Sequence, residues 1–173
     1  MVIEKTWAMP NAYTFDIKPI NEWLLQRIPN GAKCIVDPFA GNSVFGTITN
    51  DLNPDADTDY HMDALDFLKM LPDKSADVVL YDPPYSLRQV SECYKRYGRE
   101  VTMQTTQASY RARHLDEIAR ILKNGGCVFC FGWNSNGVGK CRGFEMTDIL
   151  MVAHGGSHND TICTKEVKRE QVV

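Results

Sequence analysis

The sequence of 173 residues has no apolar run near the roughly 20 residues that a membrane-spanning helix needs. Its N-terminus, MVIEKTWAMPNAY, places no basic stretch before an apolar core, so no secretory leader is expected. Positive charge is not in excess. The formal net charge is −3, and any nucleic-acid contact must come from a local basic patch rather than from bulk charge. Internal repeats, low-complexity tracts and clear linkers are also missing, which disfavours solenoids and tethered modules and leaves a single domain over residues 1–173. No G-x-G-x-x-G follows the first apolar strand pattern, which argues against a nicotinamide-dependent oxidoreductase.

The six cysteines, at 34, 93, 127, 130, 141 and 163, do not read as a disulfide framework. Cys127 and Cys130 have C-x-x-C spacing, but they lie in GGCVFCFGW, a buried-strand pattern. Alternation sends their side chains to opposite faces, which disfavours a shared zinc. Buried free thiols fit a reducing cytoplasm. No metal site is expected; His154 and His158, beside the glycines at 155 and 156, are a weak alternative.

Apolar periodicity predicts helices over residues 20–28, 64–71 and 114–123, and strands over residues 33–36, 77–81, 127–133, 144–154 and 160–167. Residues 44–49 fit a short helix or a strand. Residues 87–113 read as polar and irregular. Strands alternating with helices predict a mostly parallel sheet covered on both faces, and the last two strands form a hairpin around residues 155–159. In such folds ligands bind at the carboxyl ends of the strands.

Two Asp-Pro turns fall at that edge. The first, Asp82-Pro83-Pro84-Tyr85, follows DVVLY. Two prolines leave a stiff backbone with carbonyl acceptors and no N–H. The Asp82 carboxylate and the Pro83 carbonyl can both accept from one –NH2 group, while Tyr85 offers a flat ring for stacking a base. Accepting both amine hydrogens frees the nitrogen lone pair, and the same acceptors stabilise the positive charge that develops there. The competing reading is a strand-ending turn in which Asp82 makes a local cap. The second turn, Asp37-Pro38-Phe39-Ala40-Gly41, follows KCIV; its glycine permits close backbone approach to a ligand, and Phe39 can pack on an apolar or cationic group. Asp51, beyond that glycine turn, is placed to bind ribose hydroxyls. Asp63 precedes a helix and either accepts from an adenine amine or caps that helix.

These residues resemble a family. IKPINEWLLQRIPNGAKCIVDPFAGNSVFG and DVVLYDPPYS are similar to the cofactor and catalytic blocks of S-adenosylmethionine-dependent amino-group DNA methyltransferases, and HGGSHNDTICTKEV is similar to that family's last strands. The resemblance implies one Rossmann-like methyltransferase domain with a seven-stranded, mostly parallel sheet and a C-terminal antiparallel hairpin. It implies that Lys18 and the turn Asp37, Pro38, Phe39, Ala40, Gly41, Asn42 and Ser43 hold the methionine part of S-adenosylmethionine. Asp51 would take the ribose, Leu52 would flank the adenine ring, and Asp63 with Ala64 would meet the adenine edge. Asp82, Pro83, Pro84 and Tyr85 would grip the target amine. Cofactor motif before catalytic motif is the family's gamma-like order, and an Asp opening the tetrad suggests adenine N6 in DNA. Cytosine N4, an RNA base, or a catalytically weak DNA-binding module are the alternatives. Setting Asn42-Ser43 where the family has a further glycine departs from the pattern. A separate target-recognition domain is also lacking, so sequence specificity is expected either to be low or to come from a partner or a second copy of the chain. The implied location is a bacterial or phage-host cytoplasm.

Residues 87–113 carry Arg88, Lys95, Arg96, Arg99, Arg111 and Arg113 against Glu92 and Glu100, six positive less two negative, or +4. Tyr94, Tyr97 and Tyr110 are interleaved. This stretch is the expected DNA contact, holding a flipped base near Tyr85; a solvated loop is the plain alternative.

Overall fold

The computed structural model describes residues 1–102 and 108–170. Three apolar runs, Ile35–Asp37 (β2), Ala76–Tyr81 (β4) and Leu122–Gly132 (β5), form the centre of one sheet. Their near-continuous apolar character suits strands covered on both faces. Val2–Trp7 (β1), Ile48–Thr49 (β3), Phe144–Ala153 (β6) and Thr161–Lys168 (β7) complete it in the order β1-β6-β7-β5-β4-β2-β3. β2 runs parallel to β3 and β4, β4 to β5, and β1 to β6. β7 is antiparallel to both β5 and β6, as the hairpin reading requires.

Alternation along β4 and β5 splits the core in two. Val79, Tyr81, Val128 and Cys130 join Phe67 and Leu68 of Ala64–Met70 (α2) and Leu115, Ile118 and Ile121 of Ala108–Ile121 (α4). Val78, Leu80, Cys127 and Phe129 join Ile20, Trp23 and Leu24 of Lys18–Arg27 (α1) on the other face. Each fully buried Phe or Leu contributes about 1.5–3 kcal/mol. Cys127 and Cys130 therefore do face opposite layers, and burial pushes their thiols up to about 11 and 12.

β1 carries no apolar run, and its pattern is exposed almost throughout. Arg27 fixes it from α1, pairing with Glu4 on β1 and, at 3.1 Å, with Asp148 on β6. Residues 87–113 are not the irregular loop expected from their polarity. Leu87–Arg96 forms a helix (α3), opened by a capping box in which Ser86 accepts from Gln89 N at 3.2 Å and the Gln89 side chain accepts from Ser86 N at 3.2 Å. α4 then begins at Ala108, six residues before the expected start. Residues 103–107, in the middle of that stretch, lie outside the described residues. No helix among the described residues is long and apolar enough to cross a membrane.

Candidate functional site

The carboxyl ends of β2, β3 and β4 open into one cleft of about 850 Å³. Both Asp-Pro turns line it. The turn after β2 is held by Asn50, a buried residue the sequence did not single out. Its amide donates to the carbonyls of Pro38 (3.1 Å) and Met62 (3.0 Å), and its oxygen accepts from Met62 N (3.0 Å). One side chain thus clasps the Asp37–Gly41 turn to the segment that leads into α2. Its only trace in the sequence is a polar residue closing a short strand.

Gly41 has φ of +53° and donates its N–H to Asp51 Oδ2 at 2.9 Å. This left-handed backbone is why glycine stands there. Asn42 and Ser43 have ordinary backbone conformations, so the Asn-Ser departure leaves the turn intact. Asp51 also accepts from Asn53 N at 2.8 Å. Leu52 and Ala64 line the cleft wall.

Asp37 is fully buried. Phe39 N donates to Oδ1 at 3.3 Å, while Oδ2 has no hydrogen-bond partner among the described residues. Burial raises its pKa to about 8, the Phe39 N–H and the Ser43 hydroxyl opposing the shift and the carboxylates of Asp82 and Asp51 adding to it. Asp37 is neutral near pH 7.

Asp63 caps α2, accepting from Leu65 N at 2.9 Å. Its other oxygen accepts from the phenols of Tyr94 on α3 and Tyr110 on α4. Burial alone would raise its pKa, but the two phenols and the Leu65 N–H hold it below the usual carboxylate value. Both tyrosines line the cleft. Behind them His114 meets the Tyr81 hydroxyl at 3.0 Å, and burial depresses the imidazole to about 4, so it is uncharged.

At the end of β4, Asp82 Oδ1 accepts from the Tyr85 hydroxyl at 2.7 Å. Burial raises the Asp82 pKa to about 6, with Thr14 and Tyr85 pulling it back down. Pro83 and Pro84 line the same wall, and the Tyr85 ring meets Trp133 edge-on at 5.8 Å. Thr14 and Trp133 were not among the expected site residues. Thr14 comes from a segment whose sequence carries no motif, and Trp133 closes the strand expected over residues 127–133.

Two groups of expected residues fall differently. Lys18 does not line the cleft: it opens α1 with a side chain 85% exposed, 3.9 Å from Glu22. The cleft side of that segment is supplied by the apolar Phe15 and Ile17, which precede the helix. The six basic residues also divide. Arg96 and Arg111 line the cleft, Arg111 over the Tyr81 ring at 5.4 Å, while Arg113 lies 5.6 Å over Tyr110. Arg88 and Lys95, one heptad apart, are exposed on the other face of α3, with Arg99 exposed just beyond its end. His154 donates from Nδ1 to the Ala8 carbonyl at 2.9 Å, and its Nε2 lies 2.8 Å from Thr161 Oγ1. No three acidic, His or Cys side chains among the described residues are grouped as a metal site.

No family model matches the sequence. A stretch of 82 residues is 32% identical to the Type II methyltransferase M.BamHI of Bacillus amyloliquefaciens; the match takes in 44% of this chain and 18% of that protein. The chain thus spans less than a fifth of the length of the curated relative it matches. A solved structure of the 1,6-didemethyltoxoflavin-N1-methyltransferase of Burkholderia thailandensis, with bound S-adenosylhomocysteine, superposes with a TM-score of 0.60 at 11% identity, covering 88% of this chain and 78% of that one. The methyltransferase yhhF of Escherichia coli gives 0.55 at 11% identity over 95% and 92%. At such identity the likeness is one of fold: a single Rossmann-like methyltransferase fold with a seven-stranded, mostly parallel sheet.

Proposed function

We propose that the chain transfers a methyl group from S-adenosylmethionine to the exocyclic amine of a base in DNA, adenine N6 foremost. One observation carries this reading. A carboxylate, two prolines and a tyrosine end β4 in the same cleft as a glycine turn and an acid placed for a ribose. The match to a Type II methyltransferase supports it.

The cleft suits the cofactor. Its volume lies within the usual range for such ligands. Asp51 and Asp82 supply negative character for a cationic ligand, and Asp37, protonated with an orphaned buried oxygen behind them, would be drawn towards its charged form by such a ligand. The 37–43 turn would hold the methionine part without Lys18. Asp51 keeps lone pairs beyond its two backbone bonds for a diol. Leu52, Asp63 and Ala64 would border the adenine. When bound, S-adenosylmethionine supplies an electrophilic methyl on a sulfonium.

The chain's own residues orient the amine. Asp82 and the Pro83 carbonyl accept its two hydrogens, and the target base stacks on Tyr85. Asp82 also stabilises the positive charge that grows on nitrogen. Tritiated-methyl transfer onto unmodified duplex DNA, followed by nucleoside analysis, tests this reading. Labelled 6-methyladenine is expected. Labelled 4-methylcytosine would change the base, label confined to RNA would change the substrate, and no label on any nucleic acid would overturn the reading.

The exposed face of α3 is the proposed backbone contact. Changing Arg88, Lys95 and Arg99 together to Gln is expected to lower the slope of log affinity against log salt by about 2–3, near 0.9 per lost phosphate contact. Binding titrations between 50 and 200 mM salt measure it; an unaltered slope would place DNA on another surface.

A further inference from the structure

We propose that Thr14 is a positioning residue for Asp82: a chain of hydroxyls, Thr14 to Tyr85 to Asp82, keeps that carboxylate charged and aimed at the amine. This rests on the role given to Asp82 above. Thr14 lies on a short 3-10 turn, Thr14–Asp16, packed into the cleft just before α1. Its hydroxyl is 3.3 Å from the Tyr85 hydroxyl, which in turn is 2.7 Å from Asp82 Oδ1. The Tyr85 proton is committed to the carboxylate. Thr14 is therefore the donor to the phenol oxygen, and both O–H dipoles point towards Asp82. Aligned hydroxyls polarise one another, so the end acceptor feels more than one bond. The chain occupies one oxygen of a group with about four lone-pair sites, which leaves capacity for an N–H.

Asp82 needs such support. It is drawn partly out of water, and its titratable neighbours are unhelpful: Asp37 at the end of β2 and Cys163 from β7 are the groups coupled to it, besides Tyr85, and neither is a cation. Burial favours a proton on Asp82, and a protonated acid has lost much of its ability to attract an amine hydrogen and to balance positive charge. Thr14 and Tyr85 are the groups that oppose that shift. Thr14 is also a fixed post. Phe15 beside it is buried against Phe131 and Phe45, so the turn cannot easily swing away.

The test compares wild type, Thr14→Val and Thr14→Ser by two readouts. Carbon-13 NMR of labelled Asp carboxyls follows the Asp82 titration directly, and steady-state transfer from pH 5.5 to 8.5 gives the pH profile. Valine keeps the shape and deletes the donor. It is expected to move the Asp82 titration and the acid limb upward together by about one pH unit, so that the loss of kcat/KM at pH 6 exceeds that at pH 8 by about fivefold. Serine restores both. An unmoved NMR titration in Thr14→Val, or an equal loss at every pH with no shift, overturns the proposal. If the wild type methylates no nucleic acid, the functional reading fails, yet the NMR arm still decides the role of Thr14. Should the valine variant melt early, Thr14→Ala at lower temperature gives the same NMR comparison.

Discussion

Asp82→Ala is expected to lower methyl transfer by about 10²–10³-fold while S-adenosylmethionine binding, followed by calorimetry, stays within a few-fold of wild type. The size follows from what the carboxylate does. Nitrogen becomes positively charged as it attacks, and a fixed acceptor in a partly dry cleft stabilises that charge more in the transition state than in the bound ground state. Loss of an interaction of this kind appears in kcat as well as in kcat/KM. The substitution Asp82→Asn keeps an acceptor oxygen without the charge, so its activity should fall between the two. It should also lose the acid limb expected of the wild type near pH 6, where the buried carboxyl takes up a proton. The ordering Asp, Asn, Ala separates a charge-bearing acceptor from a mere turn residue. Transfer by Asp82→Ala close to the wild-type rate would refute the assigned role.

How far the sequence announced this site depends on the element. DVVLY-DPPY and KCIV-DPFAG were legible because an apolar run followed by Asp-Pro specifies a strand, its end and a rigid turn at once. Both turns do line one cleft. α3 was not legible by composition, since Arg, Gln, Ser, Glu and Lys fill most of it. The helix was encoded instead in the Ser86–Gln89 capping box and in the stripe Val90, Cys93, Tyr94 and Tyr97, which all line the cleft. α4 was cut short for the same reason, its first turns being polar. β1 was missed because a strand with one covered neighbour and exposed faces has no apolar signature. It is paired to β6 by its backbone and tied further by Arg27, far away in the chain.

Single residues show the same division. The helix cap at Asp63 was one of two readings, and the cap is present, but the two phenols on its other oxygen come from 31 and 47 residues away. Lys18 was assigned to the cleft through its place beside a proline, and position in a motif does not fix which way a side chain points; at the first turn of α1 it points to solvent. Thr14, Asn50 and Trp133 carry no pattern that marks them as site residues. They matter because the sheet brings their segments to the same edge.

Asp37→Asn is expected to stabilise the ligand-free protein by roughly 2–4 kcal/mol at pH 8 and by little at pH 4. Asp37 is wholly buried, one oxygen has no partner among the described residues, and two further carboxylates face it. Its pKa stands at about 8 in the fold against an ordinary 3.8. Between those values the native state keeps a proton that the unfolded chain releases. Unfolding therefore gains from rising pH, and the stability linked to Asp37 is complete below about pH 4 and lost as pH rises towards 8. Asparagine removes the titration. Its oxygen can still accept from Phe39 N, so the shape of the turn survives. Denaturant melts of the two proteins at several pH values should give curves that meet in acid and diverge in base. A constant gap would mean that the amide merely packs better or worse than the acid, and that the burial of Asp37 carries no electrostatic cost. If the curves diverge, the protein keeps a destabilising acid beside its cleft, a pattern that belongs to binding sites rather than to cores. At pH 8 and above, where Asp37 is ionised, the same variant should then bind S-adenosylmethionine more weakly, because the charge that destabilises the fold there is the charge that a sulfonium would offset.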